Sequence, residues 1–535
     1  MNGIRRAVHR QQSVFGALAL GLLVILTHFL LLGSLPPAVN YDEAIIALTS
    51  LELGRSRPFE PFVMVQNGWE AGWLIILSGA FQSLGHSTFV FRAASAVTSI
   101  LGIMALAGAT GVGLPRMSWL VSGLILTTAP WFLTMGRSGY RSTLLFLALG
   151  IAFLGIWWLV RSHQWHVAVI GGVATAAPLY VYTSGRVIVL LLLLYAGSLA
   201  LTNLIPRRLI WGYYAGAALG LFPMLQWVVS SPENLPHFFF NIRGRGLWQD
   251  GVGWDDVPRY AGQIRADIVA MLWSQPRKSE GAPAGVALLP WWVTLGAVLA
   301  MAQTVNEIRF RRWRTVAIVG VLWVSSLGVI FADGLLPTGP SAFLLLAAGI
   351  PLAILSGWGL SVLPGQWKPI LVIAAIAVWT AWRGYFSYGL EQRGFDAAYQ
   401  VGFDRVTEAL TSLKTRSGTD DVILIMNEAH EPAVRWNLLA RDVSAYYALV
   451  DTNRLLQAAS GSTLTQTLTS LRNAFGNDPR CGQPALPPER CQVSAALDPD
   501  ALIFFASEAE AARVTNAFSG ALQGEELGPY KLKQK

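Results

Sequence analysis

Residues 40–70 read NYDEAIIALTSLELGRSRPFEPFVMVQNGWE, a largely polar segment between two apolar stretches. This segment places Asp42 and Glu43 directly after the first apolar run, and Glu70 directly before the next one. Acidic side chains at the edge of a bilayer are costly, so they mark a candidate functional site. The side of the membrane on which this segment lies therefore determines which other residues can lie near its acidic side chains.

The composition is that of an integral membrane protein. Of the 535 residues, 53% are hydrophobic and only 13% are charged, whereas soluble domains carry about 25% charged residues. The net charge of +8 comes from basic residues in short loops between apolar runs, which indicates a signal for membrane topology. A nucleic-acid partner is therefore not predicted. The apolar run at 14–32 is too long for a signal-peptide core, which predicts an uncleaved anchor.

The apolar runs predict a mainly α fold, a polytopic membrane helical bundle. A span needs about 20 apolar residues, and about eleven runs approach that length. They lie near 14–33, 89–113, 117–135, 142–160, 166–183, 187–204, 209–230, 285–305, 315–332, 341–363 and 369–388. The shorter run 71–84 predicts a juxtamembrane helix that does not cross, within a first outside loop at 34–88.

The basic residues predict the orientation. If 71–84 does not span, all the short basic loops fall on one side, including RFRRWR at 309–314. The positive-inside rule assigns that side to the cytoplasm. We therefore expect a protein of the plasma (inner) membrane with a cytoplasmic N-terminus. Segment 40–70, the long loop 231–284 and the tail then lie outside.

The tail, residues 391–535, differs from the transmembrane domain predicted for 1–390. Strand-like apolar runs alternate with helix-like stretches, which predicts a small extracytoplasmic α/β domain. Cys481 and Cys491, the two cysteines of the chain, both lie in it. Because the predicted compartment is oxidising, we expect a disulfide between them, with two free thiols as the alternative.

The acids of segment 40–70 have both a structural and a catalytic interpretation. Asn40 followed by Glu43 is a capping-box pattern, with Asp42 favoured by the helix dipole. A helix N-terminus also keeps a carboxylate ionised, as needed to accept a proton or bind a divalent cation. We consider Asp42 and Glu43 catalytic candidates. Glu70 is either a metal ligand or a solvated residue at the edge of the loop.

Two turns on the predicted outside contain arginine, which is rare on that side. They are GRSGYR at 136–141, with Arg137 and Arg141, and YTSGR at 182–186, with Tyr182 and Arg186. The planar guanidinium group binds two oxygens at once and therefore suits a phosphate or diphosphate head group. Snorkelling to lipid phosphates is the alternative for each arginine, but three arginines near an acidic loop favour a binding site.

The remaining motifs are few. The loop 231–284 is long enough to be a lid or an acceptor-binding element, and its His237 is a weak candidate metal ligand. The sequence contains no GxGxxG, Walker, HExxH, GxSxG or paired CxxC motif, so no nucleotide, protease or hydrolase site is predicted. The cofactor is therefore unknown, with a divalent cation as one candidate.

These features together resemble the C-superfamily (GT-C) of membrane glycosyltransferases. The nearest resemblance is to family 39, which contains protein O-mannosyltransferases and bacterial aminoarabinose lipid A transferases. It rests on the Asp-Glu pair at the start of the first outside loop, the topology and the outside C-terminal domain, and it covers roughly residues 14–400. It implies two juxtamembrane helices, matched by 41–53 and 71–84, and a catalytic aspartate matched by Asp42.

The resemblance also implies a role for Glu70, which matches an acid that binds a metal in some members of the family. The chain departs from the family pattern directly after this acid, with Ala71-Gly-Trp-Leu74 in place of Lys-Pro-Pro-Leu. Ser142 stands where the family's arginine motif often has an aspartate. The implied donor is a polyprenyl-phosphate-linked sugar, and the acceptor is a lipid, a protein or a cell-wall polymer.

We therefore expect an inverting hexosyl- or pentosyltransferase that works on the extracytoplasmic face with Asp42 as general base. A transporter or flippase of lipid-linked sugars is one alternative, and Asp333 is the acid closest to lying within a span. A non-catalytic membrane scaffold is another, in which Asp42 and Glu43 would be freely replaceable. An oligosaccharyltransferase is disfavoured because WDD at 254–256 only faintly resembles its acceptor motif.

Overall fold

The computed structural model describes most of the chain up to residue 387 and parts of the tail. The described residues are 2–36, 39–56, 61–63, 69–114, 117–162, 164–202, 204–230, 257–272, 288–334, 342–363, 367–387, 422–426, 432–433, 435–436, 440, 448–458 and 502–505. The predicted metal ligand His237 and the predicted disulfide partners Cys481 and Cys491 lie outside the described residues.

The described residues are mainly helical, as predicted. The helices are α1 (Asn2–Phe29), α2 (Tyr41–Ser56), α3 (Gly72–Leu84), α4 (Thr88–Gly113), α5 (Ser118–Thr128), α6 (Pro130–Arg137), α7 (Leu145–Ser162), α8 (Trp165–Thr175), α9 (Thr183–Leu201), α10 (Arg207–Ser230), α11 (Val257–Leu272), α12 (Trp291–Arg309), α13 (Trp313–Gly334), α14 (Ala342–Leu360), α15 (Trp367–Ala381) and α16 (Thr452–Ala458). Short 3₁₀ turns at Arg141–Leu144 and Ala177–Tyr180 precede α7 and α9.

The chain forms two compact units. The first comprises Met1–Pro36, Arg57–Ala80 and Phe89–Ala398. The second comprises Pro37–Ser56, Phe81–Thr88 and Tyr399–Lys535, so α2 belongs to it. The functional division into a transmembrane domain at 1–390 and a soluble domain at 391–535 stays a prediction.

The helices are those of an integral membrane protein. In the described part of the chain, five helices are long and apolar enough to cross a membrane, and one bent helix pair would make a sixth. The five are Thr88–Gly113, Arg141–Arg161, Thr183–Leu201, Trp313–Asp333 and Pro369–Ser387. Each predicted apolar run contains a helix, but some helices are shorter than a span needs. The count of about eleven spans therefore stays a prediction.

One predicted span is not a continuous helix. The run 117–135 forms α5 and α6, whose axes are bent by 67°. Ala129 between them is extended, with φ −65° and ψ 128°, and Pro130 is the first residue of α6. Proline has no N–H to donate and disfavours helical dihedrals in the residue before it, so it ends one helix and starts the next. The bend directs α6 into the buried turn that carries Arg137 and Arg141.

Glycines allow neighbouring helices of the first unit to pack closely. A Cβ atom at Gly172 of α8 would lie 2.0 Å from the carbonyl oxygen of Tyr213 in α10. A Cβ atom at Gly216 of α10 would lie 2.0 Å from the carbonyl oxygen of Val169 in α8. Packing of this kind associates helices in lipid, where apolar side chains gain little from burial against one another.

Five short strands are described. In the first unit, β1 (Phe62–Val63) pairs antiparallel with β2 (Trp69–Glu70), and Phe62 lies opposite Glu70. In the tail, β3 (Val422–Met426), β4 (Ala448–Asp451) and β5 (Leu502–Phe505) form a parallel sheet in the order β4-β3-β5. The strand-like runs predicted in the tail are thus observed, and the α/β fold of the whole tail stays a prediction.

Arg137 anchors the C-terminal end of α1. Its side chain is fully buried, and its five N–H groups meet five acceptors at 2.6–3.1 Å. The acceptors are the carbonyl oxygens of Thr27, His28, Leu30 and Leu35 and the hydroxyl of Tyr385. A guanidinium group has five donors in all, so none is left for a ligand. In this arrangement Arg137 is structural, and its predicted phosphate-binding role is not carried further.

Helix α11, from the loop predicted to lie outside, contains a buried acid. Asp267 is fully buried, and one of its oxygens accepts a hydrogen bond of 3.2 Å from Gln263. The other oxygen has no hydrogen-bond partner among the described residues. Burial raises the pKa of Asp267 to about 7, and the hydrogen bond from Gln263 opposes this shift.

The role of Arg137 can be tested by Arg137→Lys, which keeps the charge and loses the five-donor fork. We expect the purified protein to lose about 2–3 kcal/mol of stability, because buried carbonyl oxygens lose their donors. The measurement is the Tm in detergent, with the exposed Arg312→Lys as control. An unchanged Tm together with lost binding of a lipid phosphate would instead make Arg137 a ligand-binding residue.

The raised pKa of Asp267 predicts a pH-dependent stability. The unfolded chain ionises this carboxyl above about pH 4, whereas the folded protein keeps it protonated to about pH 7. The free energy of unfolding should therefore fall as the pH rises through that window. The Asp267→Asn variant has no carboxyl group to ionise, so its free energy of unfolding should not fall in this way. Its Tm should therefore exceed that of the wild type at pH 8 and match it near pH 4. A Tm difference independent of pH would contradict the expectation.

Candidate active site

In the second unit, Asp42 and Glu43 lie in the first turn of α2. The backbone N–H of Glu43 donates to Oδ1 of Asn40 at 2.8 Å, and the N–H of Asn40 donates to Oε2 of Glu43 at 3.0 Å. This reciprocal pair is the capping box indicated by the sequence. Glu43 is fully buried, whereas Asp42 is half-buried. Glu43 therefore holds the start of the helix, and Asp42 is the acid with access to solvent.

In the first unit, two of the predicted arginines meet on Glu70. This glutamate ends β2, and its side chain is fully buried. Arg141 donates from Nη1 to Oε2 at 3.0 Å, and Arg186 donates from Nη2 to Oε1. The hydroxyl of Thr183 also donates to Oε1, at 3.3 Å. Both carboxylate oxygens are thus engaged by positive groups, and the solvated position considered for Glu70 is not observed.

Aromatic rings hold the two guanidinium groups in place. The guanidinium carbon of Arg141 lies 4.3 Å from the centre of the Trp69 ring and 5.4 Å from that of Tyr182. The guanidinium carbon of Arg186 lies 5.6 Å from the centre of the Phe62 ring. These are cation–π distances, and such contacts strengthen when the groups are removed from water. Tyr182, a predicted binding residue, thus contacts Arg141 directly.

Close packing brings the three segments of the site together. The indole N–H of Trp73 donates to the carbonyl oxygen of Gly139 at 2.8 Å, which joins α3 to the turn before Arg141. A Cβ atom at Gly139 would lie 1.6 Å from the ring of Phe91. A Cβ atom at Gly72 would lie 2.4 Å from the carbonyl oxygen of Tyr180. Gly72, Trp73 and Gly139 lie in segments that the sequence analysis quoted, but none of them was predicted as a site residue.

The start of α9 adds positive potential to the same place. Thr183 and Arg186 lie in its first turn, and Tyr182 precedes it in an extended conformation without a side-chain cap. The N-terminus of a helix carries a partial positive charge. Ser184, also in this turn, is buried, and its hydroxyl has no partner among the described residues. Two arginines and one glutamate give the cluster a net charge of +1, which favours an anion.

The described residues do not fit the metal that the resemblance implies for some members of the family. Within the described part of the chain, no group of three or more His, Cys, Asp or Glu side chains could hold a metal ion. Glu70 lies between two guanidinium groups, which would repel a cation. No mechanistic step is therefore assigned to a metal.

Comparisons with known proteins find solved structures of similar fold. No protein-family model and no curated protein matches the sequence. Among solved structures, ArnT from Cupriavidus metallidurans bound to undecaprenyl phosphate has a TM-score of 0.51 and 13% identity, covering 84% of this chain and 91% of that chain. The apo state of ArnT has a TM-score of 0.49 and 12% identity, covering 85% and 92%.

An archaeal protein is also similar. The oligosaccharyltransferase AglB from Archaeoglobus fulgidus, in complex with an inhibitory peptide and a dolichol-phosphate, has a TM-score of 0.48 and 12% identity, covering 81% of this chain and 64% of that chain. At such identities a likeness shows the fold alone. The predicted resemblance is confirmed at the level of the fold, which this chain shares with ArnT.

Proposed function

We propose that this chain is a membrane glycosyltransferase that moves a sugar from a polyprenyl-phosphate-linked donor to an acceptor. The observation that carries the proposal is the arginine pair gathered on the buried Glu70, with a net positive charge and aromatic rings beside it. The fold supports it, since ArnT shares that fold and was solved with bound undecaprenyl phosphate. The acceptor is a lipid, a protein or a cell-wall polymer.

The arginine pair suits the leaving group of this reaction. When the bond between the anomeric carbon and the phosphate oxygen breaks, the lipid phosphate gains negative charge. Arg141 and Arg186 are each only 13% exposed at the side chain, and charged donors act more strongly where water is largely excluded. The guanidinium fork can bind two phosphate oxygens at once. In the proposed reaction these arginines therefore stabilise the departing phosphate.

Asp42 is the proposed general base. Its carboxylate accepts the proton of an acceptor hydroxyl, and the hydroxyl oxygen then attacks the anomeric carbon from the face opposite the phosphate, which inverts that carbon. Asp42 lies in the first turn of α2, and its side chain is only half-buried, so an acceptor hydroxyl can reach it. Glu43 supports the base by holding the start of the same helix through the capping box.

The proposed reaction takes place on the extracytoplasmic face of the plasma membrane. The support is the charge bias of the loops. The turn at 309–314, between α12 and α13, exposes four arginines, which marks it as a cytoplasmic loop under the positive-inside rule. Counting apolar runs from this turn puts the Glu70 segment and the two arginine turns on the opposite side. The donor is then made inside and flipped before use.

Asp42→Asn tests the base. Loss of a general base should lower transfer by about 10²–10⁴-fold while the protein still folds. The measurement is mass spectrometry of glycoconjugates from cells that carry only the variant. Glu52→Gln, an acid-to-amide change on the same helix, is the control and should leave the product in place. Full product formation by Asp42→Asn would refute the assignment.

Arg141→Gln tests the phosphate site. The variant loses a charged donor pair and should bind undecaprenyl phosphate about tenfold more weakly, because a hydrogen bond to a charged group contributes about 1.5–3 kcal/mol. Binding is titrated in nanodiscs by the quenching of tryptophan fluorescence. Arg312→Gln, which removes an arginine side chain that is 63% exposed and pairs with Glu307 and not with Glu70, is the control. Equal affinity of both variants would contradict the proposed site.

A further inference from the structure

We infer that Glu70 is a positioning residue that orients Arg141 and Arg186. In this chain the arginine pair then supplies the positive charge that, in some members of family 39, comes from a metal ion bound to the matching acid. The inference deepens the proposed function and rests on it. It differs from the expectation raised by the resemblance, under which Glu70 would be a metal ligand.

The contacts of Glu70 support a counter-ion and not a ligand. One oxygen accepts from Arg141 and the other from Arg186 and Thr183, and the carboxylate is shielded from water. A single carboxylate that bridges two guanidinium groups fixes the separation of those groups. Without it, two partly buried cations of equal charge would repel each other. Glu70 therefore determines where the arginine donors point.

The sequence after Glu70 supplies an independent argument. The family pattern Lys-Pro-Pro-Leu would place proline at positions 72 and 73. A Cβ atom at position 72 would lie 2.4 Å from the carbonyl oxygen of Tyr180, which belongs to the segment that leads to Arg186. Proline at position 73 would remove the indole N–H that donates to Gly139, in the turn that leads to Arg141. The observed Gly72-Trp73 is thus what lets both arginine turns reach Glu70.

The charges of the cluster lead to a measurable consequence. Glu70 and a phosphate compete for the positive charge of the same two guanidinium groups, so the carboxylate limits the affinity for phosphate. Glu70→Gln removes one negative charge, so the three side chains together go from +1 to +2, and the two partly buried guanidinium groups lose the carboxylate that both contact. A bound phosphate then relieves a larger electrostatic cost. The variant should bind a lipid phosphate more tightly and hold it in a less productive orientation.

The experiment titrates undecaprenyl phosphate into the full-length protein in nanodiscs, with and without EDTA. We expect EDTA to leave the wild-type Kd unchanged. Glu70→Gln should lower the Kd about fivefold and steepen its dependence on salt, while its glycoconjugate product in cells falls at least about tenfold. Glu307→Gln is the matched control, because Glu307 also pairs with an arginine, Arg312, at 3.2 Å. It should change neither the Kd nor the product.

The opposite results would overturn the inference. If EDTA weakens wild-type binding and added Mg²⁺, Mn²⁺ or Zn²⁺ restores it, the site holds a metal. If folded Glu70→Gln loses binding, Glu70 does not compete with phosphate. The EDTA titration uses the wild-type protein, so its result does not depend on whether a variant folds. Glu70→Asp keeps the negative charge, and its Kd should stay within about twofold of the wild-type Kd. A wild type that binds no undecaprenyl phosphate under any condition would refute the proposed function itself.

Discussion

One buried carboxylate organises the candidate site. Glu70 accepts hydrogen bonds from Arg141 and Arg186, which arrive from separate turns of the chain. A carboxylate without such partners would be very costly to bury, and so would the two guanidinium groups. The three side chains therefore stabilise one another in this place. Their joint net charge of +1 is what remains to attract an anion.

The backbone around this ion pair is shaped by residues without charge. Pro130 bends the chain so that α6 ends in the buried turn with Arg137 and Arg141. Gly72 and Gly139 leave room for a carbonyl oxygen and a phenyl ring that a side chain would displace. Arg137 holds the end of α1 with its five donors. Neighbouring arginines in one turn thus have different partners, Arg137 in the scaffold and Arg141 in the candidate site.

Sequence reasoning reached the features that depend on local pattern. The capping box of Asn40 and Glu43, the helices in the apolar runs and the strands β3 and β5 all follow from residues close in sequence. It also selected Arg141 and Arg186 as residues of one site. It did not foresee the partners of Arg137 or Glu70, which lie 71 to 248 positions away along the chain. Pairings over such separations are set by packing, which no short motif records.

The sequence by itself determined that this is a helical membrane protein, that acids and arginines flank its spans, and that one acid begins a helix. Hydrophobicity and the cost of burying charge act on each segment independently, so these features can be identified from the sequence. Only the tertiary structure decided which arginine is structural and which pairs with Glu70. The choice depends on the bend at Pro130 and on clearances of a few ångströms at Gly72 and Gly139, which exist only when the segments are packed.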